Sequence, residues 1–224
     1  MKTIVLTGIS RGLGKELHDL LISNDYLADK KIFISRGSEN SKTNVLTDYL
    51  CIDLSLNTID YSNIKVADES QKIIFINNAS VIDPIDEVLN ISSKGIEGAM
   101  QVNCWSPLEI AKHLAIESKR VSANFLIFNI STGAANHAIR GWLAYCVSKA
   151  AIKIAIDVLV EENKHITVTH FDPGVMDTDM QTAIRSSSKD KMQDVELFQN
   201  YKLEGKLKVP SQVAQDILKI IKEL

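Results

Sequence analysis

Cysteine is scarce and poorly placed for pairing. Cys51, Cys104 and Cys146 are the three in a chain of 224 residues, odd in number and in no C-x-x-C spacing. That argues against a disulfide framework and a zinc site, and it makes a reducing cytoplasm the expected compartment. The five histidines show no ligand spacing either, so no metal is expected. Neither sign of charge dominates. A net charge of −3 gives no reason to expect nucleic acid or an anionic membrane as partner. No apolar run approaches the ~20 residues of a membrane span. The opening "MKTIVLTG" is too short an apolar run for a signal peptide and reaches a glycine motif at once. Repeats and low-complexity linkers are absent as well. What is present is ordinary for a globular protein, 45% hydrophobic and 24% charged. The length suits one α/β domain over 1–224.

Short β-branched runs alternate with longer helical periods. "TIVLT", "KIFIS", "DYLCID", "KIIFIN", "NFLIFNI" and "ITVTHF" read as strands buried on both faces of a parallel sheet. Helical periods fall around 13–23, 93–119, 144–162 and 211–222. The alternation predicts an α/β fold, a doubly wound parallel sheet of six strands. The crossover from Ser55 to Gln71 is polar and reads as irregular. "RSSSKDKMQD" reads as a mobile insertion before the last helix. In the third helical period, Leu143, Val147, Ala150, Ala151, Ile154 and Val158 suit one face packed on a core.

"TIVLTGISRGLGKELHDLL" sets Gly8, Gly12 and Gly14 between the first strand and the first helix. Glycines let backbone approach a pyrophosphate, and the helix start offers unpaired N–H groups. Alone, such a stretch is a plain glycine turn; directly after an apolar strand at the head of a βαβ chain, it favours a nucleotide. NAD-binding folds carry an acid about 20 residues beyond the glycines. Here the second strand ends in Ser35 and Arg36. A guanidinium there can fork onto a 2′-phosphate that a carboxylate would repel. Arg11 is placed to reach the same phosphate, so the pair favours NADP(H). Asp53 ends the third strand, either as an acceptor for an adenine amino group or as a simple cap shared with Ser55. Asn77 and Asn78 close the fourth strand, where tying backbone across strand ends is their plainest role.

Tyr145 and Lys149 stand four apart, on one strip of a helix. Ser131 and Thr132 end the fifth strand, with Thr132 thirteen positions before Tyr145. A free phenol titrates near pH ~10. An ammonium one turn away, with the positive ring of an oxidised nicotinamide, is expected to lower that value toward neutrality. Taken together, "TGISRGLG", "NNA", "VNCWSP", "NIST", "YCVSK" and "DPGVMDT" resemble the short-chain dehydrogenase/reductase family from end to end. "GWLAYCVSKAA", "PGVMDTDMQ" and "IRSSSK" resemble its sepiapterin reductase and benzil reductase branch.

The resemblance implies a Rossmann-fold, NADPH-dependent carbonyl reductase acting on a small-molecule carbonyl substrate. Tyr145 is then the proton donor, and Lys149 holds the nicotinamide ribose. Thr132 steadies the carbonyl oxygen, with Ser131 as fallback, and Asn103 holds a water for proton relay. The cofactor set is Gly8, Ser10, Arg11, Gly12, Leu13, Gly14, Arg36, Asp53, Leu54, Asn78, Ala79, Val175 and Thr178, besides Tyr145 and Lys149. Trp142 and Met180 face substrate, and the segment from Met180 towards Tyr201 forms a lid. Two departures stand out: Thr132 replaces the family's usual serine, and Ser80 replaces the glycine of Asn-Asn-Ala-Gly. The competing class is an NADP sensor without turnover. Such proteins usually lose the tyrosine or the lysine, and both are present. The last helix, "SQVAQDILKIIKEL", runs to Leu224, without the family's seventh strand or the tail acid by which sepiapterin reductases anchor a pterin. A permissive reductase of small, activated or aromatic diketones is therefore expected, as a homodimer built on the two long helices.

Overall fold

The computed structural model of the protein describes residues 1–24, 27–37, 41–44 and 46–223, the segment 41–44 by its backbone alone. β1 (Lys2–Thr7), β2 (Lys30–Ser35), β4 (Thr47–Cys51), β5 (Lys72–Asn77), β6 (Asn124–Ile130) and β7 (Ile166–Phe171) are the six expected strands. Every pairing among them is parallel. A short strand absent from the sequence reading, β3 (Ser41–Asn44), adds antiparallel to β4 at one edge. The order is β3-β4-β2-β1-β5-β6-β7. Chain direction therefore switches between β1 and β5, and a crevice opens there above the strand C-termini.

Each strand is apolar on both sides because helices cover both faces. Val5, Ile34, Phe75 and Ile127 point to one layer, under α3 (Ser106–Arg120) and α4 (Leu143–Glu161). Ile4, Leu6, Ile76 and Phe128 point to the other, under α1 (Gly12–Ser23) and α7 (Pro210–Glu223). α7 buries Val213, Ala214, Ile217, Leu218 and Ile221, a stripe of period 3.6. The 55–71 crossover contains turns and no helix, as expected.

Two sequence expectations fail. The buried face of α4 is Ala144, Tyr145, Ser148, Lys149, Ile152 and Ile156, whereas Val147, Ile154 and Val158 are exposed. The helix is apolar on two sides, and periodicity alone did not separate the core side from the free one. The "RSSSKDKMQD" stretch is not a loose insertion. α5 (Asp179–Arg185) and α6 (Val195–Leu203) flank it, and Met192 inside it is fully buried with Trp142, Tyr145 and Phe198. Among the described residues no helix is long and apolar enough to cross a membrane.

Candidate active site

The glycine loop is built by close approach. Gly8 adopts φ +77°, and a Cβ there would sit 2.9 Å from the Ala79 Cα. At Gly14 a Cβ would sit 2.0 Å from the Gly8 carbonyl oxygen. Asn78 clamps this loop to β5: its Nδ2 donates to the Thr7 and Gly8 carbonyls at 3.0 and 3.2 Å. Thr7 Oγ1 in return accepts from the Asn78 and Ala79 N–H groups, both at 3.1 Å. Asn77 works inside the sheet, donating to Asn129 Oδ1 at 2.8 Å.

Above the crevice lies one cavity of about 1070 Å³. It runs from Arg36 and Asp53, past Gly8, Ser10, Arg11, Gly12, Leu13, Gly14 and Leu54, to Ala79, Thr132, Tyr145 and Lys149. Val175, Thr178, Met180 and Trp142 line its other side. Asn103 is the one residue of the expected set outside that wall. The bare glycine backbone and the length of the cavity fit a dinucleotide.

At the Arg36 end, Ser55 donates to Asp53 Oδ1 from its N–H at 2.9 Å and its hydroxyl at 2.7 Å. Those bonds, with a smaller pull from Arg36, hold the Asp53 pKa below the usual carboxylate range. Arg11 also lines the cavity, with its guanidinium 3.5 Å from Asp179 on the opposite wall. The pair is 65% and 71% exposed and therefore weak; Arg36 is the cation at the tip of β2.

At the other end, Tyr145 is buried edge-on against Trp142, with ring centroids 5.8 Å apart. Lys149 Nζ lies 5.9 Å from the Tyr145 ring centroid and donates to the Ile130 carbonyl at 2.9 Å. Burial pushes the phenol up to about 12, with Asp172 and Cys146 adding to the push. Hydrogen bonding with the Thr132 and Ser80 hydroxyls draws it back. Burial pushes Lys149 down to about 8. The ammonium alone thus does not bring the phenol toward neutrality, because both groups lose more solvation than their proximity returns.

Asn103 sits in a π-turn (Gln101–Trp105) between α2 (Ser93–Met100) and α3. Its side chain is fully spent. Nδ2 donates to the Val81 carbonyl at 2.8 Å and to Ser148 Oγ at 3.0 Å. Oδ1 accepts from the Val81 N–H at 2.8 Å and from Ser80 Oγ at 3.1 Å. An amide has two donors and two acceptor positions, so no side-chain position is left for a water. Pro107 removes the N–H that would close a helical bond on the Asn103 carbonyl.

Sequence reasoning gave no part at the phenol to Ser80, which bonds it, and passed over Asp172 on the cavity wall and Ile184 and Phe198, which complete its apolar part. Val195, Phe198 and Tyr201 recur every three residues, and that period was the available signal. Among the described residues no His, Cys, Asp or Glu group suits a metal ion.

The short chain dehydrogenase family model matches residues 2–189. The chain belongs to the short-chain dehydrogenase family. It is an oxidoreductase by that membership, and the family binds nicotinamide cofactors. A benzil reductase ((S)-benzoin forming) of Bacillus cereus is 28% identical over 237 residues, covering 99% of this chain and 94% of its own. A sepiapterin reductase of Xenopus tropicalis is 30% identical over 204 residues, covering 83% and 78%. Among solved structures, the KRED1-Pglu enzyme superposes with a TM-score of 0.80 at 21% identity, covering 99% of this chain and 95% of that one. That identity speaks for the shared short-chain dehydrogenase fold alone.

Proposed function

We propose that this protein is an NADPH-dependent carbonyl reductase of small, activated or aromatic diketones, of the benzil reductase kind. The observation that carries it is the Tyr145 phenol, with Thr132 and Lys149 beside it, on the wall of one cavity that also takes in the glycine loop and Arg36. Bound NADPH supplies hydride to the carbonyl carbon. Tyr145 gives its proton to the carbonyl oxygen as charge develops there, and the Thr132 hydroxyl stabilises that oxygen. Lys149, with one hydrogen bond to Ile130, has donors left for the nicotinamide ribose. Asn103 contributes through its main-chain carbonyl, since its side chain is occupied.

The wall around Tyr145 is aromatic and aliphatic, with Trp142, Ile184, Phe198 and Tyr201. Such walls discriminate weakly, by about 1–3 kcal/mol per methylene. A second reading, a pterin reductase, draws on Asp194, a carboxylate on the cavity rim able to hold a pterin's donor edge. Catalytic efficiency on benzil and on sepiapterin, followed by NADPH absorbance, separates the two. Benzil is expected to be preferred; a clear preference for sepiapterin overturns the diketone reading.

NADPH is expected to be used over NADH because of Arg36. Arg36→Asp removes a donor and adds repulsion, and should reverse the preference by roughly tenfold or more. Equal kcat/KM for both cofactors in the unmodified protein sinks this claim. Thr132→Ser should keep activity, while Thr132→Ala loses about 10–100-fold in kcat. Greater damage from Ser131→Ala would move the role to that residue. Trp105 at the end of the π-turn, Ile116 on α3 and Val147, Ile154 and Val158 on α4 are exposed apolar residues, which supports a homodimer covering them.

A further inference from the structure

The Asp-Pro-Gly turn after β7 brings a carboxylate to the reacting end of the cavity. Asp172 Oδ1 accepts from the Gly174 N–H at 2.8 Å, which in itself is an ordinary turn-closing bond. The other oxygen is not needed for the turn. Oδ2 lies 3.8 Å from where a Cβ on Gly133 would sit, next to Thr132, and Asp172 lines the same wall as Thr132, Tyr145 and Lys149. The groups around the phenol come from four directions. Lys149 and Cys146 lie on α4, the Thr132 hydroxyl follows β6, Ser80 follows β5 and Asp172 follows β7. Asp172 is the carboxylate among them, on the same cavity wall as the buried Lys149 ammonium.

A dinucleotide with its pyrophosphate on the glycine loop and its adenosine at Arg36 must extend its nicotinamide toward Tyr145. The ring then passes along the segment 172–178. An oxidised nicotinamide carries a positive charge and a reduced one does not. Lys149 alone would make this end cationic and oppose the oxidised ring. We propose that Asp172 is an electrostatic residue of the cofactor site, whose fixed negative charge favours oxidised over reduced nicotinamide and so stabilises the ring as hydride leaves it. The same charge helps keep the Tyr145 proton in place until the substrate oxygen takes it. This inference rests on the reductase reading above.

The test compares binding of NADP⁺ and NADPH by calorimetry in the unmodified protein, Asp172→Asn and Asp172→Glu. The asparagine keeps the acceptor for the Gly174 N–H and removes only charge. Its affinity for NADP⁺ relative to NADPH should fall about threefold or more, with NADPH affinity little changed. The glutamate, which keeps the charge, should hold most of the unmodified ratio. In Asp172→Asn the basic limb of kcat/KM for diketone reduction should move to lower pH, because the phenol loses a neighbour that disfavours its anion. An unchanged ratio and an unmoved limb would reduce Asp172 to a turn cap. Equal loss of affinity for both forms would likewise overturn the proposal, as a structural effect. Failure of the unmodified protein to bind either form would instead strike the nicotinamide reading itself, and this inference with it.

Discussion

Tyr145→Phe should abolish carbonyl reduction, with kcat falling by roughly two to four orders of magnitude and NADPH affinity nearly unchanged. The substitution removes one hydroxyl and keeps the ring. That ring is what packs against Trp142 in the buried cluster beside the cavity, so the fold and the groove leading from the glycine loop stay intact. What goes is the proton donor and the partner of the Thr132 and Ser80 hydroxyls. Losing such a bond costs about 1 kcal/mol, too little to unfold the protein and far less than the catalytic loss. Lys149 is not expected to stand in, because its Nζ is held toward the Ile130 carbonyl and its remaining donors are assigned to the nicotinamide ribose, not to the substrate oxygen. The measurement pairs NADPH oxidation with benzil against NADPH binding by fluorescence. Substantial turnover in the phenylalanine variant would mean that another group delivers the proton.

The same residues show how far the sequence could be read. The six parallel strands were legible because burial on both faces writes itself as unbroken apolar runs such as "KIIFIN". The glycine loop and the Tyr145–Lys149 pair were legible because their spacing is local. What stayed hidden depends on contacts between distant segments. Asn103 could be picked from the sequence, but not the atom it has to offer: its amide is consumed by Val81, Ser80 and Ser148, which leaves its main-chain carbonyl. That Arg11 also meets Asp179, across the cavity from it, could not be read from the sequence. Met192 lies in a polar stretch that resembles a free loop, yet it is held in place by Trp142, Tyr145 and Phe198. Charge and hydropathy patterns cannot report which of two apolar helix sides is covered, and α4 was misjudged for that reason. Asp172 is silent in the sequence for a related reason: an Asp-Pro-Gly turn is common, and only the fold reveals that its second oxygen lies by Gly133, on the cavity wall that also holds Thr132 and Tyr145.

Gly14→Ala should be the most damaging single change in the glycine loop, although it adds one methyl group. Gly12, at φ +53°, is conformationally the more special residue, but a Cβ there would meet only the Thr178 side chain, at 3.3 Å, which can yield. At Gly14 the obstacle is main chain: the new carbon would sit 2.0 Å from the Gly8 carbonyl oxygen and 2.5 Å from Asn78 Nδ2. No rotamer relieves that contact, so the loop must separate from the start of α1. Separation breaks the Asn78 bonds to the Thr7 and Gly8 carbonyls, which hold β1, β5 and the loop together. It also displaces the α1 N–H groups from the position where a pyrophosphate would meet them. Overpacking of this kind costs about 1–3 kcal/mol, and a chain of this size loses about 2–4 °C of Tm per kcal/mol. A fall in Tm of up to ~10 °C is therefore expected. NADPH affinity should fall by at least about tenfold, because a moved loop no longer presents its backbone. Thermal melts and NADPH titration on the purified variant check both halves. A variant that binds NADPH as the unmodified protein does, with an unshifted Tm, would show that the loop relaxes freely and that its close packing does not shape the cofactor site.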